Sequence, residues 1–313
     1  MEEIKQQIMI ARPNLRPITI TNYMSQLNHL SHAIDGGALD HLGFLIDVDK
    51  TMTYLEKRTL NTQNTYLTSI IVALTSESPR TPEIDELVKE YRDIFAEKKS
   101  LYKDTLGSRK KTEKEKEQWK SLKDLHQIRE NLKYKVLAHH IPEKEGLTYA
   151  NQKILRKYVI ASLYTLQPPR RNIYATTLLI STNDFKKLRK QDFDNNYLVF
   201  SKNFKNMYFY FGHQKSKLVD NPKVGISSEL KKVLRIFLKF NHKNKFLLID
   251  KSGKQLTPNA LTHQLNEIFG MGTSMLRKIY ISKKTKNYHT FIDKLAKQMG
   301  HSAQTAKNFY LKD

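Results

Sequence analysis

The chain has 313 residues, a formal charge of +23 and no cysteine. The charge is spread along the whole length and favours a polyanionic partner, most often nucleic acid. The missing thiols exclude disulfides, thiolate metal sites and cysteine nucleophiles. The start, Met1-Glu2-Glu3-Ile4-Lys5, has neither the basic region nor the apolar core of a signal peptide. No apolar run approaches the roughly 18 residues that a membrane span needs. A soluble intracellular protein without a membrane partner is expected, long enough for two domains.

Residues 17 to about 80 read as a small helical bundle. Thr19 or Thr21 is placed to cap a helix carrying Tyr23, Leu27 and Leu30 at 3–4 spacing. Asp47 or Asp49 starts another with Met52 and Leu55, and Thr62 precedes Tyr66, Ile70 and Leu74. Ile84, Leu87, Tyr91 and Phe95 mark a helix after Thr81-Pro82, where a first turn tolerates proline. Lys98 to Glu117 is almost wholly polar and alternates lysine with glutamate, as an exposed connection or a solvated helix does. Trp119, Leu122, Leu125, Ile128 and Leu132 then resume a helical stripe. This charged helical elaboration, about 80–140, belongs to a first domain spanning 1–140. His139 to Gly146 reads as the linker to a second domain at 141–313. The paired histidines are read as part of a solvated linker, and no metal is expected there.

In the second domain Ile154, Tyr158, Ala161 and Leu163 lie along a helix that ends at Gln167-Pro168-Pro169. Arg170 and Arg171 follow directly, where proline-fixed backbone aims them consistently. With 41 lysines and only 13 arginines in the chain, an adjacent arginine pair calls for its own explanation. Bidentate phosphate geometry is what arginine offers and lysine does not. Tyr197–Phe200, Met207–Phe211 and Lys223–Ile226 are β-rich runs that make a small antiparallel sheet. His213, Lys215, Lys217 and Asp220-Asn221-Pro222 fall in its turn. Ser228 caps a helix with Leu230, Val233, Leu234, Phe237 and Leu238, and Thr257-Pro258 starts one with Leu261, Leu265 and Ile268. Asp293 to Met299 and Thr305 to Tyr310 close the domain as helices. The fold class is mainly α with a small antiparallel β-sheet, an α+β arrangement.

The chemistry gathers near the end of the chain. Met299-Gly300-His301-Ser302 leads into a helical run, and Tyr310 falls nine residues after His301. Arg277, in Ser274-Met275-Leu276-Arg277, stands 24 residues before that histidine. Metal-free phosphodiester cleavage needs a nucleophile, charge stabilisation on the non-bridging oxygens and an acid for the departing 5′ oxygen. A tyrosine nucleophile conserves the bond energy in a 3′-phosphotyrosyl ester, so rejoining needs no ATP. Two arginines can fork onto the phosphate.

In the order Arg, Lys, x-x-x-Arg, Gly-His, Tyr the chain resembles the tyrosine recombinases, the phage-integrase family. The resemblance is specific over 160–313, loose over 17–80 and weakest over 80–140. It implies that the first domain is a helical core-binding domain clamping DNA and that the second is catalytic. It assigns Arg170 as the first arginine, with Arg171 open as an alternative, because the acidic residue the family places three positions on is Ile173 here. It assigns Lys215, preferred narrowly over Lys217, as the hairpin lysine, and Arg277, His301 and Tyr310 as the second arginine, the histidine and the nucleophile. Ser274 stands where the family has a histidine, which removes a proton-transfer partner and implies a slower enzyme. The string Gln167 to Tyr174 resembles integrases of virophages and large eukaryotic DNA viruses, which implies work in a host nucleus or a viral replication compartment.

The implied partner is double-stranded DNA, bound by a homo-tetramer on two sites, with no cofactor and no metal. Only Leu311, Lys312 and Asp313 follow Tyr310. The expectation is therefore a monomer in solution, since three residues cannot form a helix for a neighbour. Two rivals remain: DNA relaxation of the type IB topoisomerase kind, and a non-catalytic DNA-binding protein of the same fold.

Overall fold

The computed structural model describes residues 1–107, 111–212 and 222–298. The chain forms two compact units, Met1–Lys110 and Lys111–Asp313.

In the first unit helix α1 (Glu2–Ala11) is followed by α2 (Pro17–Ile34), α3 (Val48–Glu56), α4 (Leu60–Leu74) and α5 (Pro82–Gly107). Their apolar stripes meet in one core around Ile8, Leu27, Leu30, Leu45, Leu55 and Leu67. Tyr91, fully buried on α5, donates its hydroxyl to the carbonyl of Leu45 at 2.8 Å. Helix starts follow local chemistry. Asp47 caps α3 by accepting from the Lys50 amide, and Thr59 caps α4 by accepting from the Thr62 amide. Thr59 thus takes the place expected of Thr62, and α2 begins at Pro17, before Thr19 and Thr21. The first part of the polar stretch, Lys98 to Gly107, continues α5 as a solvated helix.

The second unit contains α6 (Glu113–Gln118), α7 (Leu122–Ala138) and α8 (Tyr149–Thr165). After these come β1 (Leu178–Ser181), α9 (Thr182–Phe185), β2 (Asn196–Phe200), β3 (Met207–Phe211) and β4 (Lys223–Gly225). Three further helices follow: α10 (Ser228–Asn241), capped by Ser227 rather than Ser228, α11 (Pro258–Phe269) and α12 (Thr273–Gln298). The expected boundary at 140/141 moves to 110/111. Leu125 and Val136 of α7, and Ile141 in the expected linker, are buried in the core of the second unit. Polar composition with Pro142 and Gly146 marks a loop at 139–146, but that loop lies within a unit and not between two.

The sheet has the order β1-β2-β3-β4. The three expected strands pair antiparallel, with Asn196 opposite Phe211 and Tyr208 opposite Gly225. A fourth strand was not anticipated: β1 runs parallel to β2, Leu178 against Tyr197, so the sheet is mixed. Period-two alternation in β3 turns Met207, Phe209 and Phe211 inward to the core. Tyr208 and Tyr210 pack with Phe185 instead. Gly212 closes β3 because a Cβ there would run into the backbone carbonyl of Phe193. Asp293 to Gln298 are helical, as part of the continuous α12.

Candidate functional site

The two arginine-bearing segments are built differently. The first begins where α8 ends at Thr165, and the Pro168-Pro169 pair prevents the helix from continuing. A short 3₁₀ turn, Asn172–Thr176, carries the chain on towards β1. Beneath this loop lies a cluster of buried rings. Tyr164 meets Tyr174 edge-on at 5.4 Å between ring centres. Tyr174 lies 5.5 Å from Phe209, which stacks on Phe211 at 5.3 Å. The polar ends of the tyrosines hold the loop. The Tyr164 hydroxyl donates to the carbonyl of Arg171 at 3.3 Å, and Gln167 donates to the Tyr174 oxygen at 2.6 Å.

The guanidinium of Arg170 lies over Phe211, its central carbon 4.1 Å from the ring centre. A guanidinium held on a ring face can still offer N–H groups to a planar acceptor. Burial pushes the guanidinium below its ordinary pKa, with Tyr174 acting weakly in the opposite sense. Arginine starts so high that the charge persists at neutral pH. Burial also pushes the Tyr174 hydroxyl up to about 12, so it stays a neutral hydrogen-bonding group. Arg171, one residue on, is exposed. Ile173, where an acidic residue was sought, packs against the core.

The second segment sits at the start of α12. Gly270, at φ +74°, ends α11 in the left-handed region. Gly272 then leads into α12, whose Leu276 and Ile279 are buried. Those two side chains fix the helix face. Arg277 is half-buried beside them and Ser274, one turn earlier, is exposed. Ser274 opens into a cleft of about 450 Å³ lined also by Thr112, Glu115, Gln118, Thr262 and Lys278. The first amides of the 26-residue helix lie at this cleft, with the positive end of its macrodipole.

Helix α11 joins the two segments. Asn172, directly after the arginine pair, donates its side-chain amide to the Pro258 carbonyl at 2.8 Å and to the Thr262 hydroxyl at 2.6 Å. The methyl of the same Thr262 lies 3.7 Å from where a Cβ on Gly272 would stand. One threonine therefore bonds to the arginine loop and lines the same cleft as the entry to the arginine helix.

Of the expected site residues, Arg170 and Arg171 are on the loop that Asn172 bonds to α11, and Ser274 and Arg277 are on α12. Lys215, with its alternative Lys217, His301 and Tyr310 lie outside the described residues. The described part offers two cations, a helix N-terminus and hydroxyls, a set suited to holding an oxyanion. Phe211, Thr262, Lys278 and Glu115 were not singled out from the sequence, and Asn172 and Tyr174 stood there only within the string Gln167 to Tyr174, without a role. Of the first four, Phe211 left a signal as the last inward position of an alternating strand. Among the described residues no group of three or more histidine and carboxylate side chains gathers in a metal-binding arrangement, and no helix is long and apolar enough to cross a membrane. No protein-family model matches the chain, and no curated protein matches it either.

Proposed function

We propose that the chain is a tyrosine-type DNA strand transferase, an integrase or recombinase that cleaves and rejoins duplex DNA through a 3′-phosphotyrosyl intermediate. The observation that carries the reading is the order of Arg170, Lys215, Arg277, His301 and Tyr310, supported by Asn172, next to the arginine pair, bonding to Thr262, which lines one cleft with Ser274 at the start of α12. In this mechanism the Tyr310 oxygen attacks the scissile phosphorus, and the P–O bond to the 5′ oxygen breaks. Lys215 delivers a proton to that leaving oxygen. Arg170, fixed by Phe211, and Arg277, at the positive end of α12, take the charge on the non-bridging oxygens. Donors fixed before the charge develops need no reorganisation during reaction. Ser274 contributes a hydroxyl where relatives carry an imidazole, which leaves more of the proton handling to His301 and Lys215. The enzyme would work wherever its DNA substrate lies, a nucleus or a viral replication compartment.

Covalent trapping tests the reading. A suicide duplex nicked beside the cleavage position should accumulate a protein–DNA adduct with the wild-type chain and none with Tyr310→Phe, while duplex affinity stays nearly unchanged. An adduct that persists in Tyr310→Phe would move the nucleophile to another tyrosine, with Tyr280 and Tyr288 of α12 the first to examine. Duplex binding with no adduct under any condition would leave a DNA-binding protein without strand transfer.

A further inference from the structure

The segment Thr112–Gln118 has a composition that gives it little reason to settle on the protein. Its helix, Glu-Lys-Glu-Lys-Glu-Gln, buries none of its residues. Six residues are too few for a helix to persist by propensity alone. Two anchors hold it. At its C-terminal end Trp119 packs against the core, with the Lys111 ammonium 3.9 Å above the ring centre. In its middle the Glu115 carboxylate accepts from the Thr112 amide at 3.0 Å, closing a capping box, and pairs with Lys278 of α12. The Glu115 side chain is only 16 % exposed, against 83 % for Glu113 two residues earlier. The hydrogen bond from Lys278, then that from the Thr112 amide, holds the Glu115 carboxyl below its ordinary pKa.

The position of Lys278 gives this contact its meaning. It follows Arg277 directly and stands four residues after Ser274, so it shares a helix face with Ser274 and lines the same cleft. A carboxylate thus lies on a lysine near the positive end of a helix, in one cleft with the Ser274 hydroxyl. A phosphate oxygen would be held there by the lysine and the hydroxyl.

We infer that Lys278 is a further DNA-phosphate contact of this site and that Glu115 covers it in the free protein, making Thr112–Gln118 an acidic strap that DNA lifts. This rests on the proposed DNA-binding reading and adds to it a residue and a displaceable cover. The exchange is favourable because the Glu115–Lys278 pair is largely solvated on the lysine side, and such pairs shift an equilibrium only a few-fold. A duplex brings a row of phosphates and releases its condensed counterions. Closed over bound duplex, the strap would hold Glu113, Glu115 and Glu117 close to phosphates, so staying closed is disfavoured.

The test is duplex affinity across a salt series for the full chain and three single variants: Glu115→Gln, Glu113→Gln and Lys278→Gln. Glutamine keeps the capping box and removes only the charge. Glu115→Gln is expected to bind duplex about three- to fivefold tighter, the scale set by loss of one competing ion pair. Its salt dependence should be steeper by up to about one in log–log slope, since no carboxylate is left to recapture a cation. Glu113→Gln should change affinity less than about twofold, because among the described residues Glu113 pairs with Lys116 inside the strap and not with α12. Combined with Lys278→Gln, the Glu115→Gln gain should vanish. Equal gains from Glu115→Gln and Glu113→Gln, or a gain that survives Lys278→Gln, would reduce the effect to net charge and overturn the strap. A wild-type chain that binds no duplex at any salt overturns the DNA-binding reading itself, a different result from either.

Discussion

The two arginine-bearing segments hold one kind of side chain by opposite means. Arg170 sits on irregular backbone, and its precision comes from below, from four buried rings and the hydrogen bonds of Tyr164 and Gln167. Arg277 sits on regular backbone, and its placement comes from the helix, through the burial of Leu276 and Ile279. The first arrangement spends aromatic surface to fix one cation on a loop. The second fixes a whole helix end and leaves its outer face to solvent, where the strap lies. Irregular backbone can be as definite as a helix when its polar groups are bonded and its side chains are packed.

Removing each cation breaks the comparison most severely. Arg170→Ala and Arg277→Ala should each slow adduct formation on the order of 10²–10³-fold, the scale for losing one preorganised oxyanion donor. They should differ in the thermal melt. Arg170→Ala uncovers Phe211 and should lower the midpoint, whereas Arg277→Ala should leave it near wild type. Arg171→Ala is the internal control, and a larger loss there than at Arg170 would shift the first arginine by one position.

A milder change sharpens the contrast. Phe211→Leu keeps an apolar side chain but removes the ring beneath the guanidinium and its stack on Phe209. A stability loss of about 1–2 kcal/mol is expected in urea unfolding. Adduct formation should fall with it, and the fall should be absent in an Arg170→Ala background. A fall of equal size without Arg170 would show that the ring acts on something other than that cation.

The smallest effect is alkaline. The Tyr174 hydroxyl is pushed up to about 12 by burial, and an exposed tyrosine ionises near 10. A group raised in the folded state stabilises the fold fully below its unfolded pKa, and that contribution is lost as pH rises through the folded value. Melting temperature should therefore decline between about pH 10 and 12, and Tyr174→Phe should flatten part of the decline. The flattening is partial because Tyr91 in the first unit is raised to about 12 by the same cause. An unchanged slope in Tyr174→Phe would mean that the ring cluster under Arg170 is not closed to hydroxide.

Most elements were legible because their causes are local. Asp47 and Thr257 announce helix starts by side chains that reach their own third amide, and the alternating aromatics of 207–211 announce a strand. Strand β1 was missed because four half-buried residues show no alternation to separate a strand from other structure. The boundary near 140 misled because a Pro- and Gly-containing turn looks the same inside a unit as between two. In the site, the arginines could be found by order along the chain. Their supports could not, since Asn172 meets Thr262 across 90 residues and Glu115 meets Lys278 across 163. No spacing rule spans such distances; only the packed fold sets them.

The continuity of α12 limits how far the chain can reach. At about 1.5 Å of rise per residue, Gln298 stands roughly 30 Å along the axis from Arg277. A group held at the Arg277 end of this rod is therefore out of reach of any side chain at the Gln298 end.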